Sequence, residues 1–402
     1  MRCLLRGGLE AGFPKGPGKP ELVLTNRRAG DSSRVPWQSV SGKGALREVN
    51  MVQRREFIAA CIVAGMSGTA AWGASEGDEQ RDLNWACEVV QTPPASLKRR
   101  APVVTGVCLA HDESLLAVVG DDHLVSIYDL VSRKFRGTLQ AHRDWVRAAS
   151  FAPDRSTLAT AGNDRMLFCW NPANWEQPLL LAQQPNAIFG LAFSPGGDSL
   201  ASVGFSSTLF IYDMVNRQER RRLECPCEDM RAVAYSRDGE LVAAGGRCGT
   251  VRVWEAASGK PAAEFKVHQQ RIRSLQFNSR RQILSCGDDQ VVALTDPFQP
   301  ALSQQLPRQA SKLFAVTLLD DQTCATSGSD NRIAIWDLET RKSLGSLKGH
   351  TGTVSCLSSG QQLLVSGSYD TQIRIWQRTA KVGQLTNPAN QREDNSWSPR
   401  IR

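Results

Sequence analysis

A short strand closing on an aromatic residue recurs along this chain at a nearly constant interval. The stretch Gly349–Trp376 shows the whole unit: Gly-His, an apolar run, a polar turn, LLVSGSYD, and an alternating strand Gln372–Trp376. Weaker copies precede it, with IAIWD ending at Asp337, VALTD at Asp296, VRVWE at Glu255, LFIYD at Asp213, LFCWN at Asn171 and VSIYD at Asp129. The aromatic slot falls on Trp376, Trp336, Thr295, Trp254, Tyr212, Trp170 and Tyr128, in steps of 40, 41, 41, 42, 42 and 42 residues. A unit of this size cannot bury its apolar face alone, so neighbouring units must stack, and a period in this range marks the blade of a propeller.

Each copy runs from an apolar strand through a polar turn to a second strand, a tight turn and the aromatic-bearing third strand. The first strands read VTGVCL, VRAASF, IFGLAF, MRAVAY, IRSLQF, LFAVTL and VSCLSS. Their alternation leaves one face free to pack on the next unit. The turns Ala110–Ser114, Ala152–Thr157, Ser194–Ser199 and Ser236–Glu240 carry the Pro, Asp and Gly that such turns demand.

The seven copies resemble the WD-repeat family over roughly residues 82–377. The resemblance implies an all-β, seven-bladed β-propeller in which the N-terminal outer strand, Trp85–Gln91, completes the last blade beside the strand ending at Trp376. That closure would remove the free sheet edges. It also implies a buried chain of His, Ser or Thr, Asp and Trp in each blade. Here blade 2 supplies His142, Thr160, Asp164 and Trp170, and blade 7 supplies His350, Ser366, Asp370 and Trp376. Blade 6 has Gln309 near the His slot, blade 5 has Thr295 in the aromatic slot, and blades 3 and 4 replace the Asp with Ser206 and Cys248. On this reading the departing blades rely more on apolar packing.

The formal charge of +8 points to nucleic acid only until it is located. Residues 1–56 carry eleven Lys or Arg against five Asp or Glu; the other 346 residues carry 37 against 35. The propeller is nearly neutral, so no nucleic-acid partner is expected. Residues 1–50, rich in Gly, Pro, Arg and Ser, read as a disordered leader, and 378–402 as a polar tail. Between them, residues 51–73 resemble a bacterial twin-arginine export signal. Arg54-Arg55 precedes the soft apolar run Ile58–Trp72, and Ala71-Trp72-Gly73 offers small residues for cleavage. Translation starting at Met51, a linker at 74–81 and a periplasmic mature chain are the expectation, with a cytoplasmic protein the alternative. The apolar run is too short for a membrane span.

Reactive constellations are sparse. His142, His268 and His350 occupy the structural slot, while His111 and His123 fall in turns on opposite faces of the ring. Asp122, Asp164, Asp289, Asp330 and Asp370 recur at the repeat period, which marks architecture. The eleven cysteines are scattered inside apolar runs, where a thiol acts as a small hydrophobe, rather than spaced as a disulfide scaffold. Cys225-Pro226-Cys227 stands apart: a thiol pair able to bind metal or form a strained disulfide, but with no third ligand nearby it reads as structural. Arg220-Arg221-Arg222 and Lys98-Arg99-Arg100 read as charges guarding a sheet edge. No cofactor or metal site is expected.

Register alone places the rim where the loops entering the first strands meet the second-to-third-strand turns. It collects Trp145, Arg147, Phe189, Phe205, Arg231, Arg247, Arg271, Arg273, Lys312, Phe314 and Tyr369. Arg and aromatic side chains dominate interface energetics. The expectation is a monomeric, non-catalytic scaffold that presents this rim to a protein or peptide. An enzyme or small-ligand site at the channel mouth is the alternative.

Overall fold

Period-two patterning on both faces of a strand forces it between two apolar neighbours, and the second strands show this most clearly. In a computed structural model, which describes residue 83, residues 85–91 and residues 101–378 except 176 and 226, all five residues of the strand Leu158–Gly162 are buried. In blade 4 the same strand sends Leu241 and Ala243 into the core shared with blade 5, and Val242 and Ala244 into the core shared with blade 3. One strand thus serves two interfaces.

Among the described residues, 28 strands form seven four-stranded antiparallel sheets. The inner strands are Val104–Leu109, Val146–Phe151, Ile188–Phe193, Met230–Tyr235, Ile272–Phe277, Leu313–Leu318 and Val354–Ser359, and each touches the inner strands of both neighbours, with blade 7 returning to blade 1. Each of the seven apolar clusters lies at one blade–blade interface. The chain is an all-β, seven-bladed propeller.

Closure follows the expected route. Trp85–Gln91 pairs antiparallel with Gln372–Arg378, from Trp85 opposite Arg378 to Gln91 opposite Gln372. Across the seam the Ser355 hydroxyl donates to Val104 O at 2.7 Å, and Leu109 N–H donates to Ser358 Oγ at 3.0 Å. Glu113 accepts from the backbone N–H groups of Gln362 and Leu363 at 2.8 and 3.1 Å. Apolar packing and polar links therefore fasten the ring together.

Every inner strand carries the same irregularity. Its register against the second strand shifts between the first and third residues in all seven blades, leaving Thr105, Arg147, Phe189, Arg231, Arg273, Phe314 and Ser355 as the extra residue. A bulge of this kind re-aims a side chain and ends local pairing. Here it gives each blade one residue set apart from the ladder at the same end of the ring.

The proposed leader, signal and linker, residues 379–402 of the tail, and Lys98-Arg99-Arg100 lie outside the described residues, while Arg378, expected to open the tail, ends the strand Gln372–Arg378. Arg220–Arg222 sit in the outer strand Gln218–Glu224. No helix among the described residues is long and apolar enough to cross a membrane.

Candidate functional site

The loops of the rim are held by the buried polar chains. In blade 2, Trp170 Nε1–H donates to Thr160 Oγ1 at 2.8 Å, and Thr160 lies 2.9 Å from His142 Nε2. His142 Nδ1 lies 2.8 Å from Asp164 Oδ2. The Asp164 carboxylate only accepts, so Nδ1–H donates to it; in the neutral imidazole Nε2 is then the acceptor and takes the Thr160 proton, while the Thr160 oxygen accepts from the indole. Asp164 also accepts from Arg143 N–H at 3.0 Å and Met166 N–H at 3.1 Å. The loop bearing Trp145 is thereby tied to the turn bearing Asn163. Gly162 reinforces this, because a Cβ there would collide with the Trp145 carbonyl oxygen.

Blade 7 repeats the arrangement: Trp376 to Ser366 at 2.9 Å, Ser366 to His350 at 2.8 Å, and His350 to Asp370 at 2.9 Å. Burial works against the Asp370 charge, but bonds from His350, Gln372 N–H and Thr351 N–H bring its pKa down to about 2. Blade 5 keeps His268 between Ser285 and Asp289, and Thr295 in the aromatic slot pairs instead with Ser303 at 2.6 Å. Blade 6 keeps Trp336 to Thr326 at 3.2 Å, while Gln309 turns to Pro307 O.

Blades 3 and 4 qualify the expectation that departing blades rely more on apolar packing, because each also has a specific tie. In blade 3, Gln184 stands in the His slot and its amide donates to Ser202 Oγ at 2.5 Å and the Tyr212 oxygen at 2.9 Å. The primary amide supplies the two donors that this site uses. In blade 4, Cys227 occupies the His slot and Cys248 the Asp slot, and they form a disulfide with Cα atoms 5.7 Å apart. Cys227 is therefore paired across the blade and not with Cys225, which stays a buried free thiol. Cys108, Cys169, Cys286, Cys324 and Cys356 are also free, and burial raises the pKa of each.

Above these ties the rim side chains sort into two connected groups. In blades 2 to 4, the Arg147 guanidinium lies 4.5 Å from the Trp145 ring centre and 5.4 Å from that of Phe189. Arg231 stacks on Phe189 at 3.6 Å and on Phe205 at 4.6 Å, and the two phenyl rings meet edge to face. In blades 5 to 7, Arg273 lies over Phe314 at 5.1 Å, and Phe314 contacts Tyr369. Carboxylates join the groups. Asp229 contacts Arg231 at 2.6 Å and Arg271 at 2.7 Å, while Asp288 holds Arg273 at 2.7 and 3.0 Å with Arg271 3.7 Å away. Arg147 donates to the neutral Asn163 Oδ1 at 3.0 Å.

Arg247 and Lys312 are exposed and take no part in these stacks. Arg247 instead lines a cleft of about 430 Å³ with Asn186, Phe205, Ser206, Ser207, Glu228 and Asp229. Asp229 escaped the sequence reading although it holds the register of Trp145, Arg271 and Lys312, one residue before an inner strand. It is buried and adopts a positive φ of 57°, a conformation that Asp tolerates better than most residues.

The residues 133–171, 217–255, 259–296 and 341–377 match the WD40 family model, described as WD domain, G-beta repeat. The matches fall on four of the seven repeats. The inner three strands of blades 1, 3 and 6 lie outside these matches. The chain is similar to Mitochondrial division protein 1 of Schizosaccharomyces pombe, 38% identical over 17% of this chain and 11% of that protein. It is also similar to a Ribosome biogenesis protein WDR12 homolog of Nematostella vectensis, 32% identical over 30% of this chain and 31% of the relative. Ribosome biogenesis protein YTM1 of Coprinopsis cinerea is 24% identical over 29% of this chain and 28% of its own length. The likeness spans between about a tenth and a third of these relatives' lengths.

Proposed function

We propose that this WD40 propeller is a non-catalytic scaffold whose rim docks a protein or peptide partner. One observation carries the reading: the bulge sets one residue of each blade apart from the ladder at one end of the ring, and in blades 2 to 6 those residues are Arg, Phe, Arg, Arg and Phe. Stacked guanidinium and aromatic groups provide rigid, partly desolvated anchors. The relay histidines do not suit acid–base work, since both ring nitrogens of His142, His268 and His350 are engaged. Affinity capture from the source cell tests the reading. Changing Trp145, Arg147 and Arg273 to Ala together should abolish the captured partner, and unaltered capture would retire this face.

We further propose export through the twin-arginine-like segment 51–73. The Cys227–Cys248 disulfide supports it, because such bonds persist in oxidising compartments. N-terminal sequencing of the natural protein should find a mature start near Ala74; a start upstream of Met51 would contradict it.

A further inference from the structure

We propose that the Cys227–Cys248 bond of blade 4 is a thiol-exchange site. An external thiolate enters at the exposed Cys248 sulfur, and opening the bond releases the rim loop that carries Asp229. The ligand is a thiol, carried by a small molecule such as glutathione or by a redox protein. This chemistry is independent of what the rim docks.

The two bridged residues are unequally reachable. Cys227 is 1% exposed, whereas Cys248 is exposed. Exchange requires an attacking thiolate to reach one sulfur of the bond, and exposed disulfides are the labile ones. Attack is therefore directed to Cys248. Arg247, its exposed chain neighbour, supplies a positive charge that favours an approaching thiolate. Arg247 and Glu228, the chain neighbours of the two bridged residues, also line the cleft of about 430 Å³ with Asn186, Phe205, Ser206 and Ser207. That volume lies in the range of small-ligand sites, and the amide and hydroxyl groups suit the peptide portion of a thiol carrier. The internal thiol is a poorer attacker: Cys225 is 4% exposed, and burial raises its pKa and holds it protonated.

In the exchange the thiolate forms a bond to Cys248 Sγ and the Cys227–Cys248 bond breaks. The electron pair leaves on Cys227 Sγ, which takes a proton from solvent. Attack of the Cys227 thiolate on Cys248 Sγ reverses the step and expels the carrier. Opening matters because the polar relay of blade 2 has no counterpart beneath this tie. Ala244 fills the position that is a hydroxyl in blade 2 and packs with Trp254 in an apolar core. Once the bond is open, loop and turn keep a backbone bond from Arg247 N–H to Asp229 O at 3.2 Å. Asp229, two residues beyond Cys227, has a positive φ of 57° and bridges Arg231 and Arg271 at 2.6 and 2.7 Å. The state of one sulfur bond thus bears on a carboxylate that links blades 4 and 5.

The test treats the full, oxidised chain with millimolar reduced glutathione, quenches with acid and maps the modified cysteines by mass spectrometry. N-ethylmaleimide reports which thiols are open. Before treatment Cys225, Cys227 and Cys248 should all resist maleimide. Afterwards Cys248 should carry one glutathionyl group, Cys227 should be alkylated, and alkylation of Cys225 should accelerate about tenfold as the loop lets go. The buried thiols of Cys169, Cys286 and Cys324 should stay protected, showing that the ring remains folded. Arg247→Gln should slow glutathionylation about threefold while keeping the wild-type circular dichroism melt. A thioredoxin used in place of glutathione separates the two sources. Opening by micromolar thioredoxin but not by glutathione assigns the site to a protein dithiol, which becomes a disulfide as Cys227 and Cys248 become thiols. Opening by glutathione assigns it to small thiols. Labelling of Cys227 before any thiol is added, glutathione on Cys225 or Cys227 instead of Cys248, or resistance to both reagents overturns the proposal. Modification of Cys248 with Cys225 still shielded overturns the release of the loop, and an unchanged rate in Arg247→Gln overturns entry past that guanidinium.

Discussion

In blade 2 the loop carrying Trp145 is tied to the turn carrying Asn163 through His142 and Asp164. In blade 4 the matching loop and turn, carrying Asp229 and Arg247, are joined by Cys227 and Cys248. The two ties share a position but differ in reach. The His–Asp pair continues inward to Thr160 and Trp170, whereas Ala244 stands at the hydroxyl position of blade 4 and is packed in an apolar core with Trp254. Blade 2 thus couples its rim loop to its interior through polar bonds that acid can break. Blade 4 fixes its rim loop independently of its interior, through a bond that a reductant can break. The comparison teaches that the tie between loop and turn can be made with either of two chemistries.

The largest test of that distinction is Trp170→Ala. It should cost about 3–5 kcal/mol, because a large buried side chain is lost and the Thr160 hydroxyl loses its donor; urea unfolding measures it. Next, Cys227→Ser/Cys248→Ser should cost about 2–4 kcal/mol under oxidising conditions. The wild type in dithiothreitol should fall to the same midpoint. A wild-type midpoint indifferent to reductant would refute the covalent tie.

Grafting the polar tie into blade 4 sharpens the comparison. The triple change Cys227→His/Ala244→Ser/Cys248→Asp should recover about 1–2 kcal/mol of that loss through new buried hydrogen bonds, and the midpoint should no longer respond to reductant. The smallest effect concerns pH. The folded-state pKa of Asp370, about 2, is below the ordinary 3.8, so its contribution is complete above about pH 4 and fades as pH falls toward 2. Asp164 and Asp289 are shifted in the same direction despite their burial. Melting temperature should decline over that window, and Asp370→Asn should flatten the decline.

The ring was legible because both of its periods are written in side chains. Alternation located the inner strands and the forty-residue step counted the blades, while the resemblance to WD repeats implied that Trp85–Gln91 closes the ring. The disulfide was hidden because Cys227 was read beside Cys225 instead of against the repeat. The slot partners His142 and Asp164 lie 22 residues apart, His268 and Asp289 lie 21 apart, and Cys227 and Cys248 also lie 21 apart. Gln184 was hidden for a related reason: Ser206 leaves the Asp slot without a carboxylate, and the amide bonds to Ser202 and Tyr212 instead. Register placed the rim residues at one end of the ring. It could not show that Arg231 lies between two phenyl rings or that Lys312 lies apart, because these depend on side-chain rotamers.

The pairing of Trp85–Gln91 with Gln372–Arg378 also sets an order of events during synthesis. Glu88 leaves the ribosome 287 residues before Ile375, its partner in the ladder. Until then the first-made strand has no place in the ring, and the other blades form an arc with an unsealed gap. A product halted before Gln372 keeps an exposed strand edge that invites pairing with other chains. Completion of the last blade therefore doubles as a check that translation has run through the whole propeller.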